Sequence, residues 1–276
     1  MNYSTFMVHL DLSAPNENLL RVTADLAQRF EARVVGVAAC QPMRITDSQS
    51  YVSGDLVEAD RAEIEKETNE AEARFRAVLQ GRVSSLEWRS AVSIVALAEY
   101  VAQQARIADL LVTAPDRGWS RIDSSRHVGV GDLVMRVGRP VLIVPPEVDR
   151  LSSDSVVIGW KDTRETRRAV VDALPLLKQA GRVTVVEIAA DAEMAAARAH
   201  LADVVEWLRR HDVAAEALAV PATGNDGARL HAIAEEKGAG VLVAGAYGHN
   251  RLREWVLGGV THDLLLRPAR CSLVPH

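Results

Sequence analysis

The strongest constraint on the fold is an internal repeat in the sequence. Residues 109–117 (DLLVTAPDR) match residues 240–248 (GVLVAGAYG), and residues 132–136 (DLVMR) match residues 263–267 (DLLLR). Both pairs are separated by the same 131 positions (109 to 240 and 132 to 263), so no gap is needed between them. A repeat at one fixed offset predicts two copies of one domain. The 276 residues are enough for two domains of ordinary size.

Short apolar runs alternate with longer amphipathic segments in both halves. The apolar runs predict strands at residues 6–10, 33–38, 85–88, 110–113, 141–144, 156–160, 183–188, 214–220, 241–244 and 272–274. Helices are predicted between them, over residues 16–30, 55–79, 93–105, 164–179, 193–210 and 227–237. Several runs are apolar almost throughout, which is typical of a parallel sheet covered on both faces. We therefore expect an α/β fold of two tandem doubly wound domains, each a five-stranded parallel sheet flanked by helices.

A polar, proline-rich segment separates the two copies. Residues 145–154 read PPEVDRLSSD, and we place a linker at about residues 147–154. The predicted domains are therefore residues 1–146 and 155–276. The first copy is longer because it carries extra residues around positions 41–60.

Composition and charge limit the classes of function. The chain is 48% hydrophobic and 25% charged, which is ordinary for a protein with an apolar core. A net charge of -5 and a pI of about 5.9 do not suggest a basic face for nucleic acid. The N-terminal segment does not read as a signal peptide, and no apolar run approaches the roughly 18 residues of a membrane span. Cys40 and Cys271 lie in apolar surroundings and are expected to be buried thiols, so we expect a cytoplasmic protein.

A loop that contains several glycines is the main functional signal. Residues 245–261 read GAYGHNRLREWVLGGVT and directly follow the apolar run at residues 241–244. Glycine after a strand lets the backbone approach a phosphate closely. The N–H groups of such a loop, and of the helix that follows it, can bind an anion. The loop contains neither the G-x-G-x-x-G dinucleotide fingerprint nor the Gly-Lys-Ser/Thr of a Walker A motif.

The spacing of the loop, Gly245-x2-Gly248-x9-Gly258, resembles the nucleotide-binding signature of the universal stress protein (UspA-like) family. The resemblance covers essentially the whole chain as two copies, so the chain resembles the tandem two-domain form. It implies two domains packed as a pseudo-dimer and a role in stress response or regulation. It also implies an ATP site in the second copy, with ADP or AMP as alternatives and Mg2+ as a candidate companion ion.

The resemblance further implies which residues of the second copy contact the nucleotide. The residues implied near the adenine lie at strand ends, where open α/β sheets bind ligands, and are Gly159, Lys161, Ile188 and Ala244. Asp162, beside Lys161, is a further candidate contact of the nucleotide. The residues implied near the phosphates lie in the loop and are Gly245, Gly248, His249, Gly258, Gly259, Val260 and Thr261.

Two positions depart from the family pattern. Gly259 stands where the family has Ser or Thr, and the hydroxyl of Thr261 could substitute for the missing one. Lys161 stands where the family commonly has Asp, and a one-residue shift in the alignment would place Asp162 there instead. Arg251 and Arg253 could add positive charge near the phosphates or lie on a solvated helix face.

The first copy has lost the glycines of the loop. The residues at the equivalent positions are Ala114, Arg117, His127 and Val128. Pro115 also removes one N–H donor from this segment. We therefore expect that the first copy does not bind ATP in the manner of the family. Asp11 remains at the family's Asp position, but a lone Asp at a strand end is expected to cap a turn or helix.

The sequence contains no recognisable catalytic set, such as G-x-S-x-G, H-E-x-x-H or C-x-x-C. His262 and Asp263 are neighbours, but adjacent residues on a helix point in different directions. We therefore lean against a dedicated enzyme and expect at most a weak ATPase. The favoured function is a nucleotide-binding stress or regulatory protein; the alternatives are a non-nucleotide interaction protein of the same fold and a slow ATP hydrolase. Expected partners are an adenine nucleotide and an unidentified protein, with no nucleic acid and no membrane, and a further homodimer stays open.

Overall fold

A computed structural model of the chain describes residues 2–42, 54–116, 125–245 and 269–275. The strands of the first half are β1 (Thr5–His9), β2 (Arg33–Cys40), β3 (Leu86–Val92), β4 (Leu110–Thr113) and β5 (Val141–Ile143). Those of the second half are β6 (Ser155–Trp160), β7 (Arg182–Ala189), β8 (Ala215–Pro221), β9 (Val241–Ala244) and β10 (Cys271–Val274). The helices are α1 (Glu17–Phe30), α2 (Gly54–Leu79), α3 (Leu97–Gln104), α4 (Val130–Arg136), α5 (Arg164–Leu177), α6 (Met194–Arg210) and α7 (Asp226–Glu236).

The described strands form one ten-stranded sheet in the order β3-β2-β1-β4-β5-β10-β9-β6-β7-β8. Each half contributes five parallel strands in the same relative order, so the predicted α/β fold of two parallel five-stranded units is confirmed. β5 and β10 join the halves as antiparallel neighbours, with Leu142 opposite Leu273. These two leucines are also equivalent in the repeat, so a two-fold axis between the copies passes beside them.

Apolar side chains cover both faces of the sheet. On one face, α1, α2, α5 and α6 pack over a single apolar cluster that continues across the joint between the halves. On the other face, separate clusters lie under α3 and α4 in the first half and under α7 in the second. The long helix α2 buries Ile64, Ala71, Phe75 and Leu79, which form one stripe at helical spacing. Cys40 and Cys271 are buried thiols, as the sequence predicts.

The two halves also contact each other away from the joint strands. The Tyr3 hydroxyl donates a hydrogen bond of 2.6 Å to the carbonyl oxygen of Asp172 in α5. In the segment that connects the halves, Leu151 is 1% exposed and Ser153 Oγ accepts a hydrogen bond of 2.6 Å from Arg29 Nη1. The connection predicted as a linker is therefore packed against the core.

Two helices differ from the sequence prediction. α3 begins at Leu97, whereas the pattern predicts a start at residue 93. The reason is local, because Ser93 Oγ accepts a hydrogen bond of 3.2 Å from the N–H of Val95 and so holds this segment in a turn. α4 was not predicted, since its seven residues are too few for a clear amphipathic pattern. No helix in the described part of the chain has both the length and the hydropathy needed to cross a bilayer.

Candidate functional site: two crevices at the carboxyl ends of the strands

The two candidate crevices lie at the carboxyl ends of equivalent strands. In the first half, the chain leaves β1 for α1 on one face of the sheet and leaves β4 for α4 on the other. Neighbouring strands whose connections depart to opposite faces leave a crevice, and open α/β sheets bind ligands there. β6 and β9 are the equivalent neighbours in the second half, so the same position is the candidate site in that copy.

Strand pairing in the second half brings predicted residues together. Gly159 of β6 pairs with Ala244 of β9, and Trp160 at the end of β6 pairs with Glu187 of β7. The ends of three neighbouring strands therefore meet at one edge of the sheet. The predicted residues that lie at this edge are Gly159, Lys161, Ile188, Ala244 and Gly245.

Gly245 is required by a close approach of the backbone. A Cβ atom at this position would lie 2.7 Å from Thr166 Oγ1 and 2.8 Å from Thr166 N. The end of β9 is thus pressed against the first turn of α5. Gly159 has a milder restriction, because its Cβ would meet the flexible end of the Leu230 side chain at 2.7 Å. Both glycines therefore have packing reasons that do not require a ligand.

The strand register decides which residue corresponds to Asp11 of the first half. Val8 of β1 pairs with Val112 of β4, and Ile158 of β6 pairs with Val243 of β9. Val112 and Val243 are equivalent in the repeat, so Val8 and Ile158 are equivalent as well. Three positions later the first half has Asp11 and the second half has Lys161. The register therefore favours Lys161 over Asp162 as the equivalent residue.

Lys161 and the start of α5 place positive charge at the second crevice. Lys161 is exposed and, among the described residues, forms no salt bridge. Asp162 instead accepts a hydrogen bond of 2.6 Å from Arg167 on the surface. α5 begins beside them, with Thr163 as its N-cap accepting a hydrogen bond from the N–H of Thr166 at 3.3 Å. A helix N-terminus carries partial positive charge, so this edge of the sheet suits an anion.

The remaining predicted contacts fall in a part of the chain that the structure does not describe. These residues, all outside the described ranges, are Gly248, His249, Arg251, Arg253, Gly258, Gly259, Val260 and Thr261. Their contacts with a nucleotide remain predictions from the sequence.

Sequence reasoning missed a buried carboxylate beside the second crevice. Glu187 is 8% exposed; its Oε1 lies 3.3 Å from His200 Nδ1, and its Oε2 has no hydrogen-bond partner among the described residues. Burial raises the pKa of Glu187 above its usual value, although His200 opposes the shift. The indole N–H of the neighbouring Trp160 is also buried without a partner in the described part of the chain. A charged residue inside the apolar run of β7 is the signal that could have identified this site.

The first crevice is occupied by the side chain of His127. Its Nδ1 lies 2.8 Å from Asp11 Oδ2, and its Nε2 lies 2.9 Å from Asp116 Oδ1. The hydrogen bonds to Asp11 and Asp116 raise the pKa of His127 to about 10, so the ring is an imidazolium at neutral pH. Both ring nitrogens then donate, each to one carboxylate. No residue of the second crevice that the structure describes takes this place.

Asp11 performs the turn-capping role expected from the sequence and one further role. Its Oδ1 accepts hydrogen bonds from the Ser13 N–H at 2.9 Å and from Ser13 Oγ at 2.7 Å. Its Oδ2 faces His127. Burial alone would raise the pKa of Asp11, but the hydrogen bonds from His127 and Ser13 prevail and lower it to about 2. Asp11 is therefore ionised wherever the protein is folded near neutral pH.

A second histidine lies beneath this ion cluster and is neutral. His9 is 4% exposed, and its Nδ1 lies 3.1 Å from Thr113 Oγ1. Burial lowers the pKa of His9 to about 4. Its Nε2 is buried and has no hydrogen-bond partner among the described residues. No group of three or more His, Cys, Asp or Glu in the described ranges is arranged to hold a metal ion.

No protein-family model matches the chain, and no curated protein matches it in sequence. Solved structures do match. A universal stress protein from Archaeoglobus fulgidus DSM 4304 has a TM-score of 0.72 at 14% identity, covering 98% of this chain and 97% of that chain. A functionally unknown protein from Pseudomonas aeruginosa PAO1 has a TM-score of 0.57 at 14% identity, covering 99% and 92%. The chain therefore has the fold of a solved universal stress protein over almost its whole length, which confirms the fold that the resemblance implied.

A shorter neighbour was solved with a nucleotide. This universal stress protein in complex with cAMP covers 52% of this chain and 98% of its own, with 23% identity and a TM-score of 0.35. The nucleotide in that structure, cAMP, is an adenine nucleotide bound to that protein.

Proposed function

We propose that the chain is a cytoplasmic stress-response or regulatory protein of the universal stress protein type, in which the second copy binds an adenine nucleotide and the first does not. ATP with Mg2+ is the expected ligand, and ADP or AMP would use the same site. The two copies correspond to residues 1–146 and 155–276. One observation carries the proposal: at equivalent strand ends, Lys161 presents an ammonium that forms no salt bridge with a described residue, whereas the Asp11 carboxylate is bonded to His127.

The chemistry of the second crevice fits the parts of a nucleotide. Gly159 and Ala244 carry little or no side chain at the paired ends of β6 and β9, and a planar base would lie beyond the Leu230 side chain, which packs beside Gly159. Ile188 adds an apolar, partly exposed surface at the neighbouring strand end. The resemblance implies the adenine near Lys161, but the ammonium of Lys161 and the N-terminus of α5 would attract negative charge, so we propose that the phosphates also reach this end of β6. The loop after Gly245 would supply further N–H donors, as its glycine spacing predicts.

Isothermal titration of the full-length protein with ATP and Mg2+ tests this proposal. We expect close to one equivalent of ATP to bind. Lys161→Ala should weaken binding about tenfold, equivalent to about 1.4 kcal/mol, because it removes the ammonium without introducing the Asp that the family commonly has at this position. Lys66→Ala is the matched control, since Lys66 lies on the exposed surface of α2 and the variant loses the same charge.

The same titration can contradict the proposal in two ways. Binding of two equivalents would mean that the first crevice also takes nucleotide. An absence of heat, together with no nucleotide in the purified protein, would exclude ATP as the ligand of the second copy.

An interaction protein that binds no nucleotide is the second candidate. The tight packing of Gly245 against Thr166 favours it, because this glycine is needed by the fold even in the absence of a ligand. Gly259, at the position of the family's hydroxyl residue, points in the same direction. This candidate would be supported if the purified protein contains no nucleotide and Lys161→Ala leaves every measured property of the protein unchanged.

A further inference from the structure

The first crevice is filled by the protein's own side chains. His127 spans the gap between Asp11, just after β1, and Asp116, just after β4. Asp116 Oδ1 also accepts a hydrogen bond of 3.0 Å from the N–H of Val130, the first residue of α4. The imidazole thus connects the ends of two neighbouring strands and the start of a helix. The space that remains is about 10 Å³, which holds at most one water molecule.

Arg126 holds the same short segment in place from the opposite side. Its Nε donates to Glu67 Oε2 at 2.8 Å, and its Nη2 donates to Asp60 Oδ1 at 3.0 Å. Both carboxylates belong to α2. Its Nη1 donates to the carbonyl oxygen of Gln41 at 3.0 Å. Two consecutive cationic residues therefore contact four carboxylates, which come from α2 and from the ends of β1 and β4.

The buried histidine below the cluster shows that the crevice has a polar floor. His9 lines the same cavity as Asp11 and His127, and its buried Nε2 has no partner in the described part of the chain. The charged and titratable groups near the imidazole of His127 are Asp11 and His9 from the β1 side, Asp116 from the β4 side, and the adjacent Arg126. Two anions thus face one imidazolium, and the neutral His9 adds no charge.

We propose that the first crevice is a cation-binding site whose resident ligand is the imidazolium of His127. The site selects a small planar cation with two N–H donors on opposite sides, because each donor faces one carboxylate. It excludes nucleotide by charge, through Asp11 and Asp116, and by volume, because only water-sized space remains. The resident imidazolium fastens β1, β4 and α4 together. This inference is independent of nucleotide binding in the second copy.

Removal of the resident side chain and its replacement by free imidazolium test the proposal. In the full-length His127→Gly protein, we expect Tm to fall by about 5 °C. Imidazolium chloride should restore at least half of this loss in a saturable manner, at a pH where imidazole is protonated. Sodium chloride at equal ionic strength should restore none of it. The wild-type Tm should respond equally to the two salts.

A matched control uses another histidine that contacts a carboxylate. His200→Gly removes the partner of Glu187 from α6, but the side chain of His200 is 40% exposed and leaves no enclosed site between two carboxylates. Imidazolium should therefore give no saturable recovery in this variant. Equal recovery in His200→Gly and His127→Gly would overturn the proposal, as would no recovery in a folded His127→Gly protein.

A measurement on the wild-type protein keeps the proposal testable if His127→Gly does not fold. Nitrogen-15 NMR of the histidine rings distinguishes an imidazolium from a neutral imidazole. We expect one histidine to keep both ring nitrogens protonated at about pH 8.5, where ordinary histidines with a pKa of about 6.5 are neutral. The signal should disappear in His127→Gln. A His127 ring that becomes neutral near pH 6.5 would overturn the proposal.

Discussion

Asp11 and Lys161 occupy equivalent positions at the ends of β1 and β6, so a carboxylate in one copy corresponds to an ammonium in the other. Both carboxylate oxygens of Asp11 accept hydrogen bonds, one from Ser13 and the other from His127. Lys161 forms no salt bridge with any described residue and is exposed. The two copies keep one backbone arrangement but present opposite charge at this position.

The stability of the protein should depend on pH through the first crevice. His127 has a folded pKa of about 10, raised from 6.5, so its stabilisation is complete below pH 6.5 and is lost as the pH rises toward 10. Asp11 has a folded pKa of about 2, so its contribution is present above pH 3.8 and is lost toward pH 2. His9 acts in the opposite direction, because its lowered pKa reduces stability as the pH falls from 6.5 to about 4.

Urea unfolding of the wild type and His127→Ala at several pH values isolates the contribution of His127. Near pH 6 the variant should be less stable by about 2–3 kcal/mol, somewhat less than for a fully buried ion pair because the imidazole keeps some exposure. The difference between the two proteins should shrink steadily up to about pH 10. A difference that stays constant over this range would show that the charge of His127 contributes nothing.

Gly245→Ala should destabilise the fold directly. The added methyl group would lie within 3 Å of the backbone N of Thr166, which cannot move without shifting the first turn of α5. We expect a loss of about 1–3 kcal/mol in the free energy of unfolding. Gly54→Ala is the control, because a Cβ there meets no atom within 4 Å, and it should change stability by less than about 0.5 kcal/mol. Equal stability of the two variants would show that the close approach at Gly245 does not exist.

Arg126→Met should cost more stability than the same change at an exposed arginine. Arg126 is 12% exposed as a side chain and contacts two carboxylates of α2, so its loss leaves Glu67 without its cation. We expect a cost of about 2–4 kcal/mol, reduced only partly in Arg126→Lys, because lysine lacks the planar set of donors. Arg74→Met removes an exposed pair on the same helix and should cost about 0–0.5 kcal/mol. Similar costs at the two arginines would contradict this account.

A fragment of residues 150–276 should self-associate. Without the first half, β10 becomes an edge strand with four buried apolar or small residues and no antiparallel partner. Pairing of β10 with its copy in a second fragment would reproduce the joint between Leu142 and Leu273. Sedimentation should show a dimer for the fragment. A folded, monomeric wild-type fragment would contradict the prediction.

The fold could be predicted because its signals are local or periodic. Ten apolar runs became ten described strands, and the matching segments at one offset indicated two copies with the same strand order. α4 was not predicted because its seven residues show little periodicity. Its first residue, Val130, also depends on a hydrogen bond from its N–H to Asp116, which is 14 positions earlier in the chain. The antiparallel joint also required the structure, since a repeat does not reveal which edges of two sheets meet.

The candidate sites were only partly predictable. Gly159 and Ala244 lie where the strand pattern placed them, because parallel strands end at one edge. The expectation that Asp11 caps a turn agrees with its bonds to Ser13, but its contact with His127 did not follow from the sequence. These residues are 116 positions apart, and only the sheet brings them together. In the sequence, His127 at the position of a loop glycine indicates that the first copy has lost the glycine loop. The structure shows that the His127 side chain also fills the first crevice.

The joint between β5 and β10 has a consequence for how the two sites could come to differ. A dimer of two identical chains must carry the same residue at both copies of every position, so a change that fills one crevice fills both. Covalent fusion across this joint removes that symmetry, because each copy of a position is encoded separately. Asp11 and Lys161 can then change independently, while the single chain keeps the halves in a one-to-one ratio and the pairing of Leu142 with Leu273 keeps them side by side. Gene duplication followed by divergence thus allows a paired architecture with a single ligand per molecule.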